Sequence, residues 1–162
     1  MPTLRETIET TLPRDDAFAF ISDFANSAAW DPGTATSERI DPGPVGVGAR
    51  YRLGVRMGGA VTPMEYRITT FDAPRRVVLA GAGSGVSATD DISFDATVGG
   101  TRIEYVAEIH LTGWKRILEP LLGGSFAKIA REARDGMERT LDERARAAAP
   151  AIAAPATSTT PA

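Results

Sequence analysis

The chain has 162 residues and a formal net charge of -3, with 18 Lys and Arg against 21 Asp and Glu. It has no cysteine and one histidine, which excludes a disulfide scaffold, thiol catalysis, iron–sulfur ligation and a thiolate zinc site. The mixed charge offers no basic footprint for nucleic acid or an anionic membrane, no apolar run approaches a membrane span, and the N-terminus lacks a signal-peptide pattern, so a cytoplasmic location is expected.

Residues 3–12 read as a strand, with Leu4, Glu6, Ile8, Thr10 and Leu12 on one face. Pro13 is placed to open a helix over residues 14–25, with Asp15 and Asp16 in the first turn and Ala17, Phe20, Ile21 and Phe24 at helical spacing. A second short helical turn spans 26–30 and ends at Asp31-Pro32-Gly33. Six strands follow, over 34–40, 49–57, 60–71, 76–82, 86–98 and 101–111, the third of them expected to bulge near Pro63. Gly58-Gly59 and Gly99-Gly100 are tight hairpin signals, and the Pro- and Gly-rich residues 41–48 are a loop.

A long amphipathic helix over 114–148 closes the domain. Leu118, Leu121, Leu122, Phe126, Ile129, Ala133, Met137 and Leu141 form its apolar stripe. The other face offers i,i+4 charge pairs (Lys128/Glu132, Arg131/Asp135, Arg134/Glu138, Arg139/Glu143), each worth about 0.2–0.5 kcal/mol. Pro120 and Gly123-Gly124 predict a kink in its first part. The domain is read as 1–148 and the Ala/Pro/Thr-rich residues 149–162 as a disordered tail. Abundant Ala, Gly, Arg, Asp and Pro point to a GC-rich bacterial genome.

Several of these strands exceed the usual ~5–6 residues, and long antiparallel strands twist and bend. The final helix is the one element large enough to cover the concave face, and the space between them is a natural pocket. The fold class is therefore α+β.

Several segments in this order carry a resemblance: Pro13-Arg14-Asp15-Asp16-Ala17-Phe18 through Asp23, Trp30-Asp31, Gly43-Pro44-Val45-Gly46-Val47-Gly48, Phe71-Asp72-Ala73-Pro74-Arg75-Arg76 and Gly100-Thr101-Arg102-Ile103. With the long closing helix they resemble the helix-grip fold of the START-like (SRPBCC) superfamily, in its polyketide cyclase/dehydrase branch, over residues 3–146. The resemblance implies a curved antiparallel sheet of about seven strands wrapped around a C-terminal helix, with two short helices after the first strand. Members of that superfamily include cyclases, lipid and hormone binders, and proteins with no known chemistry. The pocket lining varies among them, so no catalytic set carries over.

Alternation places two carboxylates, Glu6 and Asp90, on the concave side. Each has two readings: a pocket acid or base with a raised pKa, or a group at a strand end, turned outward, or paired with an arginine. The ligand-lining candidates are Trp30, Tyr51, Leu53, Val55, Met57, Tyr66, Ile92, Phe94, Tyr105, Leu122, Phe126 and Ile129, with Met64 an adaptable apolar neighbour. His110 falls on the convex side and Trp114 reads as a packing anchor. The Gly46/Gly48 and Gly81/Gly83/Gly85 runs lack the Lys-Ser/Thr ending and the helix of a phosphate loop. Arg50, Arg52 and Arg56 read as a solvated outer stripe, with a docking surface for an acidic partner as the alternative. No metal site and no cofactor is expected, and the chain is read as a monomer or homodimer.

Three functions are open at this point: binding of a small lipid- or polyketide-like hydrophobic molecule in an internal cavity, a polyketide cyclase or dehydratase, and an interaction module with a filled pocket.

Overall fold

Alternation of side-chain character along seven strands decides which face of the sheet turns inward. The computed structural model describes residues 3–121 and 123–150. The strands are β1 (Thr3–Thr10), β2 (Thr34–Arg39), β3 (Arg50–Met57), β4 (Ala60–Asp72), β5 (Arg76–Gly83), β6 (Val86–Thr97) and β7 (Gly100–Leu111). They form one antiparallel sheet in the order β1-β7-β6-β5-β4-β3-β2. From β2 onward each strand pairs with the next in sequence, and β1 returns to pair with the last strand. The sheet curls into a half-barrel with helices on its concave side, the helix-grip arrangement that the resemblance implies.

Register fixes the inward set. Ile8 lies opposite Ile103, which lies opposite Phe94. Two layers away, Leu4 faces Ala107, then Asp90, then Leu79, then Ile68. The outward residues of the same strands pair as ions, including Arg102–Glu9 at 2.9 Å, Arg50–Glu65 at 2.6 Å and Arg76–Asp91 at 2.7 Å. The predicted Arg50, Arg52 and Arg56 stripe is exposed, with Arg52 bonded to Glu38 at 3.0 Å. His110 is part-buried opposite Ser87, its neighbours Ile109 and Leu111 belonging to the inward set.

The helices are α1 (Arg14–Ser22), α2 (Ser27–Trp30) and α3 (Gly123–Ala148), with 3₁₀ turns at Phe24–Asn26 and Gly113–Leu121. The single helix expected over 14–25 is thus broken. Asp23 adopts extended backbone and its side chain accepts the Ala25 N–H, starting a new turn. The bulge expected near Pro63 lies instead between Ile68 and Thr70. Pro63 keeps its register with Gly54 of β3 and sits where β5 has ceased to pair with β4, so its missing N–H costs no ladder bond on that side.

α3 runs along β1 in the same direction. Arg134 Nη1 meets Glu6 Oε2 at 3.3 Å, and Thr10 Oγ1 donates to Asp142 Oδ1 at 2.8 Å. Eight helical residues advance about 12 Å and four strand residues about 13 Å, so both contacts are satisfied at once. Phe126, Ala130, Ala133, Met137 and Leu141 are the buried stripe, while Ile129 is at the edge, 37% exposed. Of the predicted i,i+4 pairs, Lys128–Glu132 is the bridge found among the described residues, at 3.7 Å, whereas Arg134 turns to Glu6 and Asp135. α3 approaches α2 closely at Gly136: a Cβ there would collide with the Trp30 carbonyl oxygen.

Trp114 corrects an expectation. It is 73% exposed on the 3₁₀ turn before α3, with Ile117 79% exposed beside it, so it does not anchor packing. Leu122 lies outside the described residues, as do the side chains of Leu118 and Leu121 and the predicted tail from residue 151 onward. No helix among the described residues is long and apolar enough to cross a membrane.

Candidate functional site

The concave face is filled at one end and hollow at the other. Along β6 the inward residues run Val86, Ala88, Asp90, Ile92, Phe94. Ile92 and Phe94 are fully buried, and the Phe94 ring meets Phe18 of α1 edge-on at 5.2 Å. Toward the other end the inward residues shrink to Ala88 on β6, Ala107 on β7 and Gly81 on β5. Gly81 matters because Tyr66 lies opposite it and its ring covers the bare backbone. A Cβ at Gly81 would sit 2.5 Å from the ring.

Where Ala88 and Ala107 face inward, a cavity of about 110 Å³ opens between sheet, α2 and α3. That is room for roughly three or four waters, or a compact apolar group. Ala88, Asp90, Ala107, Tyr66 and Tyr105 line it from the sheet, Ser27, Trp30 and Asp31 from the α2 side, and Phe126, Ile129, Ala130 and Ala133 from α3. Leu53, Val55, Arg56, Met57 and Met64 line it from β3 and β4.

Of the sequence candidates, Glu6, Asp90, Trp30, Leu53, Val55, Met57, Tyr66, Tyr105, Phe126 and Ile129 are thus brought together. Ile92 and Phe94 belong to the filled end. Tyr51 also lies beyond the lining, buried against Phe24 beneath the Arg39 guanidinium, with burial pushing its phenol up to about 12.

The polar groups of the cavity are few and specific. Tyr105 Oη donates to Asp90 Oδ1 at 2.5 Å. Asp90 is 5% exposed, and burial pushes its carboxyl up to about 6. The Tyr105 bond works against that rise, and the charge of Asp31 adds to it. Burial and the neighbouring Asp90 hold the phenols of Tyr66 and Tyr105 well above their usual range, so both stay protonated at neutral pH. Glu6 is paired with Arg134, the arginine-bonded alternative of its two readings.

Asp31 is the residue that sequence reasoning misses. In sequence it reads as a helix terminator, and it does stop α2: Oδ1 accepts the Gly33 N–H and Oδ2 accepts the Thr34 hydroxyl, both at 2.8 Å. Yet the same side chain lines the cavity, and burial raises its pKa. Its position next to Trp30 is the available signal. Ser27 Oγ and Trp30 Nε1 are buried with no hydrogen-bond partner among the described residues.

Residues 1–146 match the family described as polyketide cyclase/dehydrase and lipid transport. The chain belongs to that family. Among solved structures, an aromatase/cyclase (ZhuI) from Streptomyces sp. R1128 superposes with a TM-score of 0.75 at 14% identity, covering 90% of this chain and 96% of that one. A START superfamily protein from Mycobacterium smegmatis gives 0.73 at 11% identity, covering 88% and 98%. A protein from Thermus thermophilus gives 0.70 at 19% identity, covering 92% and 100%. Among curated proteins, none matches the sequence. At these identities the solved relatives speak for the fold of this cyclase/dehydrase family member and not for its chemistry.

Proposed function

We propose that this member of the polyketide cyclase/dehydrase and lipid transport family binds a small, mostly apolar molecule between the hollow end of its sheet and α3. The observation that carries the reading is the pair of small inward residues, Ala88 and Ala107, at the end of the sheet where α3 adds the equally small Ala130 and Ala133. Larger side chains at those positions would close the space, as Ile92 and Phe94 do one layer away. Binding would draw on apolar burial, at about 25 cal/mol per Å² before ordering costs. Asp90, Tyr105 and the unpartnered Ser27 and Trp30 polar atoms would set orientation.

The test is a native mass spectrum of protein purified from its own host, beside the variant Ala107→Leu. A co-purifying molecule on the native chain, absent from the variant, is the expected result. The variant should lose no more than about 3 kcal/mol of stability, the upper end for extra methylenes placed in a packed interior. An unchanged mass increment on both proteins would place the molecule elsewhere.

A second reading, a cyclase or dehydratase, is favoured by one observation. A buried carboxyl held near 6 and bonded to a protonated phenol is suited to moving a proton on a bound carbonyl compound. Under that reading Asp90→Asn would abolish turnover of a substrate while leaving its affinity largely intact.

A further inference from the structure

Among the described residues, the charged members of the cavity lining are three acids and one arginine. Glu6, Asp31 and Asp90 contribute carboxylates, and the lining arginine, Arg56, is exposed and donates from Nε to the Pro32 carbonyl at 3.1 Å. Two of these acids are already served: Arg134 holds Glu6, and Gly33 and Thr34 each bond one oxygen of Asp31. Asp90 differs. Tyr105 serves Oδ1, and Oδ2 has no donor among the described residues although the side chain is buried. Oδ2 is not sealed in the core but borders the cavity, so it is open to a donor brought in by a guest, and a cation is the donor a carboxylate holds most strongly.

The walls fit the same ligand. Phe24, Trp30, Tyr66 and Tyr105 all line the cavity and meet at steep angles rather than stacking: Trp30 and Tyr105 at 85° and 6.2 Å, Phe24 and Trp30 at 73° and 6.4 Å, Phe24 and Tyr66 at 50° and 5.6 Å. Rings set this way form a box, and the face of a neutral aromatic ring attracts a cation. The small volume admits a compact alkyl group and excludes a hydrated ion with its shell.

We propose that the cavity selects a small organic ammonium ion, its alkyl body against the aromatic box and Ala107, and its N–H groups on Asp90 Oδ2. This deepens the apolar-ligand reading and rests on it. The groups facing Asp90 from the packed elements are Glu6 on β1, Tyr66 on β4, Tyr105 on β7 and Asp31 after α2, while α3 presents Phe126, Ile129, Ala130 and Ala133. None of these supplies a competing positive charge, and Arg134 is tied to Glu6 and Asp135.

The experiment is isothermal titration of the full chain with tert-butylammonium chloride and with its neutral isostere tert-butanol. At pH 8 the ammonium should bind at least tenfold more tightly. That preference should fall away as pH drops through about 6, where Asp90 takes up a proton. Asp90→Asn should remove the preference, so that the two compounds bind alike, and Tyr105→Phe should keep it. If Asp90→Asn fails to fold by circular dichroism, the pH series on the native chain carries the test. Equal binding of both compounds at pH 8 overturns the inference and leaves the apolar reading standing. Binding of neither also overturns it, and the native mass spectrum then decides the apolar reading alone.

Discussion

The two ends of one concave surface are built from the same strands with the same alternation, yet one is solid and the other open. At the solid end Ile8, Ile103, Phe94, Val77 and Ile92 close on Phe18 and Ile21 of α1. At the open end Ala88 and Ala107 occupy the equivalent inward positions, and the polar groups gather there. Backbone pairing does not distinguish the ends; side-chain volume and the placement of Asp90 and Asp31 do. Stability and candidate function are thereby assigned to adjacent layers of a single sheet.

The sharpest way to break this comparison is to hollow the solid end. Phe94→Ala should cost about 3–5 kcal/mol in urea denaturation, because a side chain 1% exposed leaves a void its neighbours cannot fill. A loss under about 1 kcal/mol would mean that the two ends are not energetically distinct.

The next effect is at the open end and depends on pH. Asp90 titrates at about 6 in the folded chain against 3.8 when exposed. Between those values the folded state holds a proton that the unfolded chain has released, so its contribution is favourable below about 4 and is lost as pH rises to about 6. Asp90→Asn removes that dependence. Relative to the native chain it should gain about 2 kcal/mol on going from about pH 4 to about pH 7.5. An identical pH profile for the two proteins would show Asp90 to be solvated rather than buried.

The smallest effect belongs to the convex face. Arg102→Ala breaks the bridge to Glu9, whose partners are 53% and 65% exposed, and should change stability by less than about 1 kcal/mol, and by less still in roughly 0.5 M salt.

How much of this is legible in the sequence follows from the physics of each signal. The inward face can be read because strands alternate with a fixed period: Tyr66, Ile92 and Tyr105 fall on it as expected, and Gly58-Gly59 does close a hairpin, whereas the turn expected at Gly99-Gly100 falls one residue earlier, on Val98-Gly99, with Gly100 already paired to Thr97. The break at Asp23 is hidden, because Phe24 continues the helical spacing while the Asp23 side chain caps a new turn. Asp31 is hidden by its own success as a turn residue, since a carboxylate bonded to Gly33 and Thr34 looks purely structural in sequence. Helical spacing pairs Arg134 with a neighbour on its own helix, and only the parallel run of α3 along β1 brings Glu6 within reach. Trp114 is misplaced because hydrophobicity alone does not say which way a turn faces.

The close approach at Gly136 makes α3 a rod clamped at one end. Its far half is held by Gly136 against the Trp30 carbonyl, by the Thr140 hydroxyl on the Ala29 carbonyl at 3.2 Å, and by the buried Met137 and Leu141. Its near half bears on the cavity through Phe126, Ile129, Ala130 and Ala133. The fixed point at Gly136 thus lies about three and a half helical turns from the start of α3, beyond every residue that the helix gives to the cavity.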